Sequence, residues 1–320
     1  MSATRGGIDL GGTKIQAVIV DAANAVLGEA RAETPTEGGP EDVARAMADC
    51  QRDAAAQAGV EPEQLEGIGV GSPGDADEGT GIVSGAHNLP GWEGSFPLAE
   101  WLSTELGPPV RIGNDVQVAV EAEFHLGSGK PYETVIGVFW GTGVGGGLVL
   151  DGKPWLGRSA AGEFGHLIVR RGGPRCSAGH SGCVEAYAGR WGMEQKARRE
   201  AAKGVKTKLF TLMEEHGRDR LSSGVWERAL HHDDPLAKEL MTRAEKALAA
   251  GIASAINLID PEAIILGGGM GTRFGDEYVP KIRDRMTEYL FDPDDPPAFE
   301  VASLGDHGGA IGAALLVDRA

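Results

Sequence analysis

The sequence predicts an α/β fold built as two halves of similar plan, and three observations predict it. Apolar runs of strand length alternate with segments of helical period, the pattern of mixed α/β layers. Glycines cluster at the ends of the apolar runs, where tight turns and close backbone approach call for them. Finally, TVIGVFWGTGVGGGLVLDG at 134–152 echoes the strand, glycine turn and strand of GIDLGGTKIQAVIVD at 7–21.

After the first hairpin, residues 40–58 read as a helix. Val43, Ala46, Met47, Cys50 and Ala54 share one face and Gly59 follows the end, so Cys50 is expected in the core. LEGIGVGSPG at 65–74 reads as a strand ending in a tight turn, and VRIGNDVQVAVEAEFHLG at 110–127 as a short strand running into a helix. Residues 185–260 are mostly helical. From 235 on, Leu240, Met241, Ala244, Leu248, Ile252, Ala255, Ile256 and Ile259 form one apolar face that Pro261 ends. EAIILGGGM at 262–270 reads as a buried strand with glycines at its C-terminal end, and residues 308–318 as a terminal helix. The polar, weakly patterned stretch 200–235 is expected to be a mobile excursion.

The composition excludes several classes. No run approaches the ~20 apolar residues of a membrane span, and a strand begins by Gly7, leaving no room for a signal peptide. Three cysteines in 320 residues point to a reducing, cytoplasmic setting rather than a disulfide framework. A formal net charge of −17 argues against nucleic acid and anionic membrane as partners. It also means that any anionic ligand needs local donors or a metal ion. Glycine is the outlier at 50 residues, more than twice its usual share of about 7%.

Several motifs carry chemistry. In DLGGTK (9–14) the turn at Gly11 and Gly12 presents backbone N–H groups suited to phosphate. Thr13 adds a hydroxyl, Lys14 a charge, and Asp9 a carboxylate placed to hold a metal-bound water. GTGVGGG (141–147) is a second such loop, with Thr142 as its hydroxyl and Gly143 as the position where a side chain would block phosphate approach. Two loops of one type suit a clamp on a polyphosphate chain, although glycine hairpins are also common structural turns. Gly268 and Gly269 in LGGGM leave bare backbone for an adenine or ribose. Asn114 and Asp115 in GND are either a helix cap or, for Asp115, a base that accepts a proton from an attacking hydroxyl. Glu163 and His166 in GEFGH, with Glu185, suit the adjacent hydroxyls of a sugar. CSAGHSGCVE (176–185) places Cys176 and Cys183 around His180, open to reading as a metal site, a redox pair or a plain loop.

DLGGTK, NLPGW, GND, GTGVGGG, GEFGH, GCVEAYAG and INLIDPEAIILGGG occur in an order, spanning about 7–317, that resembles the ROK family. The resemblance implies an α/β, two-lobed ribonuclease-H-like (actin/hexokinase-type) sugar kinase fold. It implies a small lobe of 1–116 plus 306–320, a large lobe of 117–305, and a homodimer formed through the large lobe. It implies ATP with Mg²⁺, DLGGTK and GTGVGGG on the phosphates, and Asp115 as the base. Gly74, Asn88, Asn114, Asp115, Glu163, His166 and Glu185 would hold the sugar. NLPGW followed by EAYAG is similar to the glucokinase branch, which implies phosphorylation of glucose at its 6-hydroxyl. N-acetylhexosamine and fructose kinases share the same grip, and the family also contains sugar-responsive regulators without catalysis. Only six residues precede the first strand, so the regulators' helix-turn-helix is not expected. Polyphosphate as donor is disfavoured by the −17 charge.

The family's kinases carry zinc on a histidine ten residues before a Cys-x-Cys-Gly-x-x-Gly-Cys run. Here His166 stands ten before Cys176, Cys183 fills the last position, and Ala178 replaces the middle cysteine. The expected set is therefore His166, Cys176, Cys183 and His180, a His₂Cys₂ tetrahedron that zinc accepts. A metal-free loop with His180 facing water is the alternative.

Overall fold

Chain order explains how two similar sheets arise. The computed structural model describes residues 3–86 and 89–319. The first stretch runs β1 (Arg5–Leu10), β2 (Lys14–Val20), β3 (Val26–Glu33), α1 (Pro40–Ala58), β4 (Ile68–Ser72), β5 (Asp75–Asp77), β6 (Ile82–Ser84) and β7 (Ser95–Phe96). There follow α2 (Leu98–Leu106), β8 (Val110–Asn114), α3 (Asp115–Leu126), β9 (Val135–Trp140), β10 (Val144–Leu150) and β11 (Lys153–Pro154). The helices α4 (Val184–Ala188), α5 (Arg190–Ala202), α6 (Leu209–Glu215), α7 (Ser223–His231) and α8 (Pro235–Ile259) come next. The chain ends with β12 (Ala263–Gly267), α9 (Gly268–Thr287), β13 (Ala298–Val301) and α10 (Gly308–Leu315).

The chain divides into two units. The first comprises 1–130, 154–161 and 303–320, the second 131–153 and 162–302. The first unit's sheet has the order β3-β2-β1-β4-β8, and the second unit's β11-β10-β9-β12-β13. In each, an antiparallel hairpin opens the sheet and parallel strands extend it from the hairpin's first strand. The sequence echo between 7–21 and 134–152 is thus an echo of topology.

The division differs from the expected boundary at 116/117 because α3 stays with the first unit. Its backbone touches that of α10: a Cβ on Gly312 would lie 2.0 Å from the Val118 carbonyl oxygen. Arg319 pairs with Glu121 of α3 and with Glu78, so charge and packing act together.

Each unit has its own core. In the first, Ile8, Leu10, Ile15 and Ile19 of the hairpin bury against Val43, Met47 and Cys50 of α1, and Trp92 is fully enclosed. Each such side chain contributes roughly 1.5–3 kcal/mol when fully buried. Gly59 caps α1 with φ 70°. In the second unit, β9 and β12 pack with α8 and α9 around Trp140, Trp226, Leu248 and Ile264.

One expectation changes, and one helix was not foreseen. Residues 200–235 are folded: α6 buries Leu209, Leu212 and Met213 in the second core, α7 buries Val225 and Trp226, and Leu221 between them is buried too. Short helices joined by polar turns masked the period. The 20-residue α9 follows β12 directly. Five glycines between 267 and 275 and an internal Pro280 concealed it. Its buried stripe Met270, Phe274, Tyr278, Ile282, Met286 recurs every fourth residue.

Candidate functional site

In the first unit, Asp9 lies on β1 opposite Gln16 of β2. The joining turn is set by the Gly11 N–H, which donates to the Lys14 carbonyl at 2.9 Å, and by the Thr34 hydroxyl, which donates to the Gly11 carbonyl at 2.7 Å. Gly12 and Thr13 stand exposed at its tip. The Asp9 carboxylate is pressed against the start of α10, where a Cβ on Gly309 would come within 2.7 Å of it. Burial pushes the Asp9 carboxyl up to about 6, against the pull of Lys14. Lys14 itself is ion-paired: its Nζ stands 3.5 Å from Asp306, which also accepts from Arg31 at 2.7 Å. The cation that the sequence assigned to phosphate therefore already has a carboxylate partner.

β8 runs straight into α3, and the cap reading of GND is seen at that junction. Asn114 caps α3, its Oδ1 accepting from Val116 at 3.1 Å and Gln117 at 3.2 Å, which leaves its amide NH₂ as a donor. Asp115 is the first helical residue, half-buried, with Oδ1 accepting the Val116 N–H at 2.9 Å. Both sit at the carboxyl end of a parallel strand, the place where such sheets bind ligands. Gly74 takes φ 86° in the turn after β4, where a Cβ would lie 2.6 Å from the Ser84 carbonyl oxygen. Its position is fixed by backbone geometry. Asn88 lies outside the described residues.

In the second unit, Gly141, Thr142 and Gly143 form the β9–β10 turn, closed by the Gly141 N–H donating to the Gly143 carbonyl at 2.9 Å. The start of α5 holds this turn: the Arg190 and Trp191 N–H groups donate to the Gly141 and Thr142 carbonyls, each at 3.1 Å. Arg190 Nη2 donates to the Thr142 hydroxyl at 2.6 Å. Sequence reading missed Arg190, whose one signal is a cation directly after the AYAG run. Glu185 joins two segments, accepting from Val144 N–H at 3.1 Å and from the Ser177 hydroxyl at 2.9 Å.

That contact revises one expectation. A Cβ on Gly143 would lie 2.3 Å from Glu185 Oε2, so a side chain there disturbs a proposed sugar ligand as well as the turn. Gly143→Ala is expected to raise the nucleotide and sugar requirements together, each by about tenfold or more. Steady-state kinetics with each substrate varied in turn checks this; a rise confined to nucleotide would show that Glu185 moves aside freely. Further along the chain, Gly268 opens α9 with φ 78° and lies against the Trp140 carbonyl, while Gly269 faces open space. The strand–glycine–helix junction leaves backbone N–H groups at the helix N-terminus.

Glu163 and His166 flank a single 3₁₀ turn, with His166 Nε2 3.7 Å from Glu163 Oε2. The other ring nitrogen, Nδ1, is 3.9 Å from Cys176 Sγ. Ligand atoms of His166, Cys176 and Cys183 all lie within 4.8 Å of one another. The loop that brings them together is a tight one. The Cys176 N–H donates to the His180 carbonyl at 2.9 Å, and the Gly179 N–H to the Cys176 carbonyl at 3.0 Å. His180 remains outside the three-residue cluster, yet its Nδ1 is 3.9 Å from Cys176 Sγ and its ring lies 4.4 Å from that of His166. One imidazole and two thiols are a donor set that zinc accepts, and His180 lies next to Cys176. Burial pushes the Cys183 thiol up to about 11, which makes it a poor nucleophile for redox exchange.

Residues 5–320 match the ROK family, and the chain belongs to it. It is 30% identical over 314 residues to a glucokinase of Thermotoga maritima, covering 97% of this chain and 96% of the relative. It is 34% identical over 323 residues to an N-acetyl-D-glucosamine kinase of Pectobacterium atrosepticum, covering 97% of each. A ROK glucokinase of Streptomyces griseus, solved with glucose and AMPPNP, superposes with a TM-score of 0.85 at 29% identity, over 99% of this chain and all of that one. The fold is the two-lobed, actin-like sugar kinase fold of that family.

Proposed function

We propose that this ROK-family sugar kinase transfers the terminal phosphoryl group of ATP to the 6-hydroxyl of D-glucose, giving ADP and glucose 6-phosphate. The observation that carries the reading is Asp115, a half-exposed carboxylate fixed at the start of α3. Asp115 accepts the 6-hydroxyl proton as the oxygen bonds to phosphorus and the bond from phosphorus to the ADP oxygen breaks. Asn114, Gly74, Asn88, Glu163, His166 and Glu185 hold the sugar hydroxyls. The turns at Gly11–Thr13 and Thr142–Gly143 donate to phosphate, with Gly268 and Gly269 beside the nucleoside. Asp9 would hold a water of a bound Mg²⁺, an ion that would supply positive charge to the phosphates.

Glucose is favoured by the glucokinase relatives. The 34% identity to an N-acetyl-D-glucosamine kinase supports a second reading, with an N-acetylhexosamine as acceptor. ADP release, coupled to detection and measured against a panel of hexoses and N-acetylhexosamines, tests both. A preference for an N-acetylhexosamine over glucose would replace the first reading with the second.

The same reading takes zinc on His166, Cys176, Cys183 and His180, where it would hold the loop and fix the His166 ring as structural support. With Ala178 unable to ligate, His180 closes the set. Dialysed protein is expected to retain about one zinc per chain, and His180→Ala to lose it faster to a chelator. Elemental analysis finding well under half an equivalent would remove the metal from the account. We also infer a cytoplasmic homodimer. Three free cysteines fit a reducing compartment, and no helix among the described residues is long and apolar enough to cross a membrane.

A further inference from the structure

An acidic protein that binds a polyphosphate needs cationic donors at the phosphate loops, and Lys14, the expected one, is paired with Asp306. The second unit offers another. Arg190 combines three features. Its Nη2 donates to the Thr142 hydroxyl at 2.6 Å. Its Nε is buried without a hydrogen-bond partner, one of four such buried side-chain atoms among the described residues and the only one on a charged group. Arg220 adds a second positive charge nearby, while Glu194, the acidic group near it, is bonded to Arg198 and to the Leu221 N–H. An unpartnered buried donor on a cation is costly, and holding the turn does not account for it. The backbone N–H groups of Arg190 and Trp191 already do that.

We infer that Arg190 is a positioning residue for the nucleotide phosphates, acting through Thr142; this rests on the reading of the 141–143 turn as a phosphate loop. A hydroxyl has one proton and two lone pairs. By donating to Thr142 Oγ1, Arg190 occupies a lone pair and turns the hydroxyl proton outward as a donor. Its charge polarises that O–H, which strengthens it as a donor. The ligand class is a nucleoside polyphosphate, recognised by its phosphates and not by its base or ribose.

The test is direct binding of AMPPNP and of adenosine to the full chain, by calorimetry, for wild type, Arg190→Met, Arg190→Lys, Thr142→Val and Arg190→Met/Thr142→Val. All variants keep the backbone bonds that hold the turn. Arg190→Met is expected to weaken AMPPNP about tenfold, the scale of one charge-assisted hydrogen bond, and to leave adenosine and glucose binding unchanged. Lysine should recover part of the loss. The double variant should be no weaker than the worse single one, because both act through one hydroxyl. Additive losses, or equal loss for adenosine and AMPPNP, would overturn the inference by showing an independent or merely structural role. If Thr142→Val binds AMPPNP like wild type, the phosphate-loop reading falls and takes the inference with it. If Thr142→Val weakens binding and Arg190→Met does not, the inference alone fails.

Discussion

Asp115→Ala is expected to lower the phosphoryl-transfer rate by ~10²–10⁴, the usual cost of losing a general base, with the fold unchanged. The local geometry argues for the intact fold. The Val116 N–H that Asp115 accepts is also accepted by Asn114, at 3.1 Å, so the cap of α3 survives. The loss should appear in kcat, with glucose binding little altered, because the proton is transferred only as the oxygen attacks. Circular dichroism and thermal unfolding alongside kinetics separate catalysis from stability. A variant that phosphorylates glucose at the wild-type rate would show that another group takes the proton.

Asp9→Asn should move stability and activity in opposite directions. The Asp9 carboxyl is pushed from 3.8 to about 6 by burial. A raised carboxyl pKa means that the folded protein binds a proton the unfolded chain has already released. Stability therefore falls as pH rises from about 4 through about 6 and stays lower above it. At neutral pH the ionised carboxylate costs up to about 3 kcal/mol at 1.36 kcal/mol per pKa unit. Asparagine removes the charge, so urea unfolding at pH 7.5 should show the variant more stable by about 1–3 kcal/mol, with the gap closing toward pH 4. Activity with Mg-ATP should drop at least tenfold, since the neutral amide orients a metal-bound water less well. The opposing changes mark a carboxylate retained for function. A variant destabilised at pH 7.5 would show instead that ionised Asp9 is stabilised by its surroundings.

What the sequence could disclose was set by how local each signal is. The helix of 40–58, the β8–α3 junction and the two glycine hairpins depend on period and turn chemistry over a few residues, and they form as read. α9 was hidden because its glycines and Pro280 carry breaker signals that burial of Met270, Phe274 and Tyr278 overrides. The segment 200–235 was misread because its apolar residues are divided between two short helices that pack on each other and, through α7, on α8 and α9. At the site, residue types and spacing pointed to Asp115, Glu185 and the cysteine–histidine loop. Pairings across the chain were not legible: Lys14 with Asp306, Arg190 with Thr142, and Glu185 with both Val144 and Ser177. Each joins segments whose separation in sequence carries no period.

The most direct test of the central claim is to identify the product of the full chain incubated with Mg-ATP and D-glucose, by phosphorus NMR. Stoichiometric ADP and a phosphomonoester on the 6-oxygen of glucose are expected from wild type, and almost none from Asp115→Ala. Phosphate on another hydroxyl would contradict the placement of the base. ATP left intact with glucose and with every other sugar offered would contradict the assignment of kinase activity to this chain.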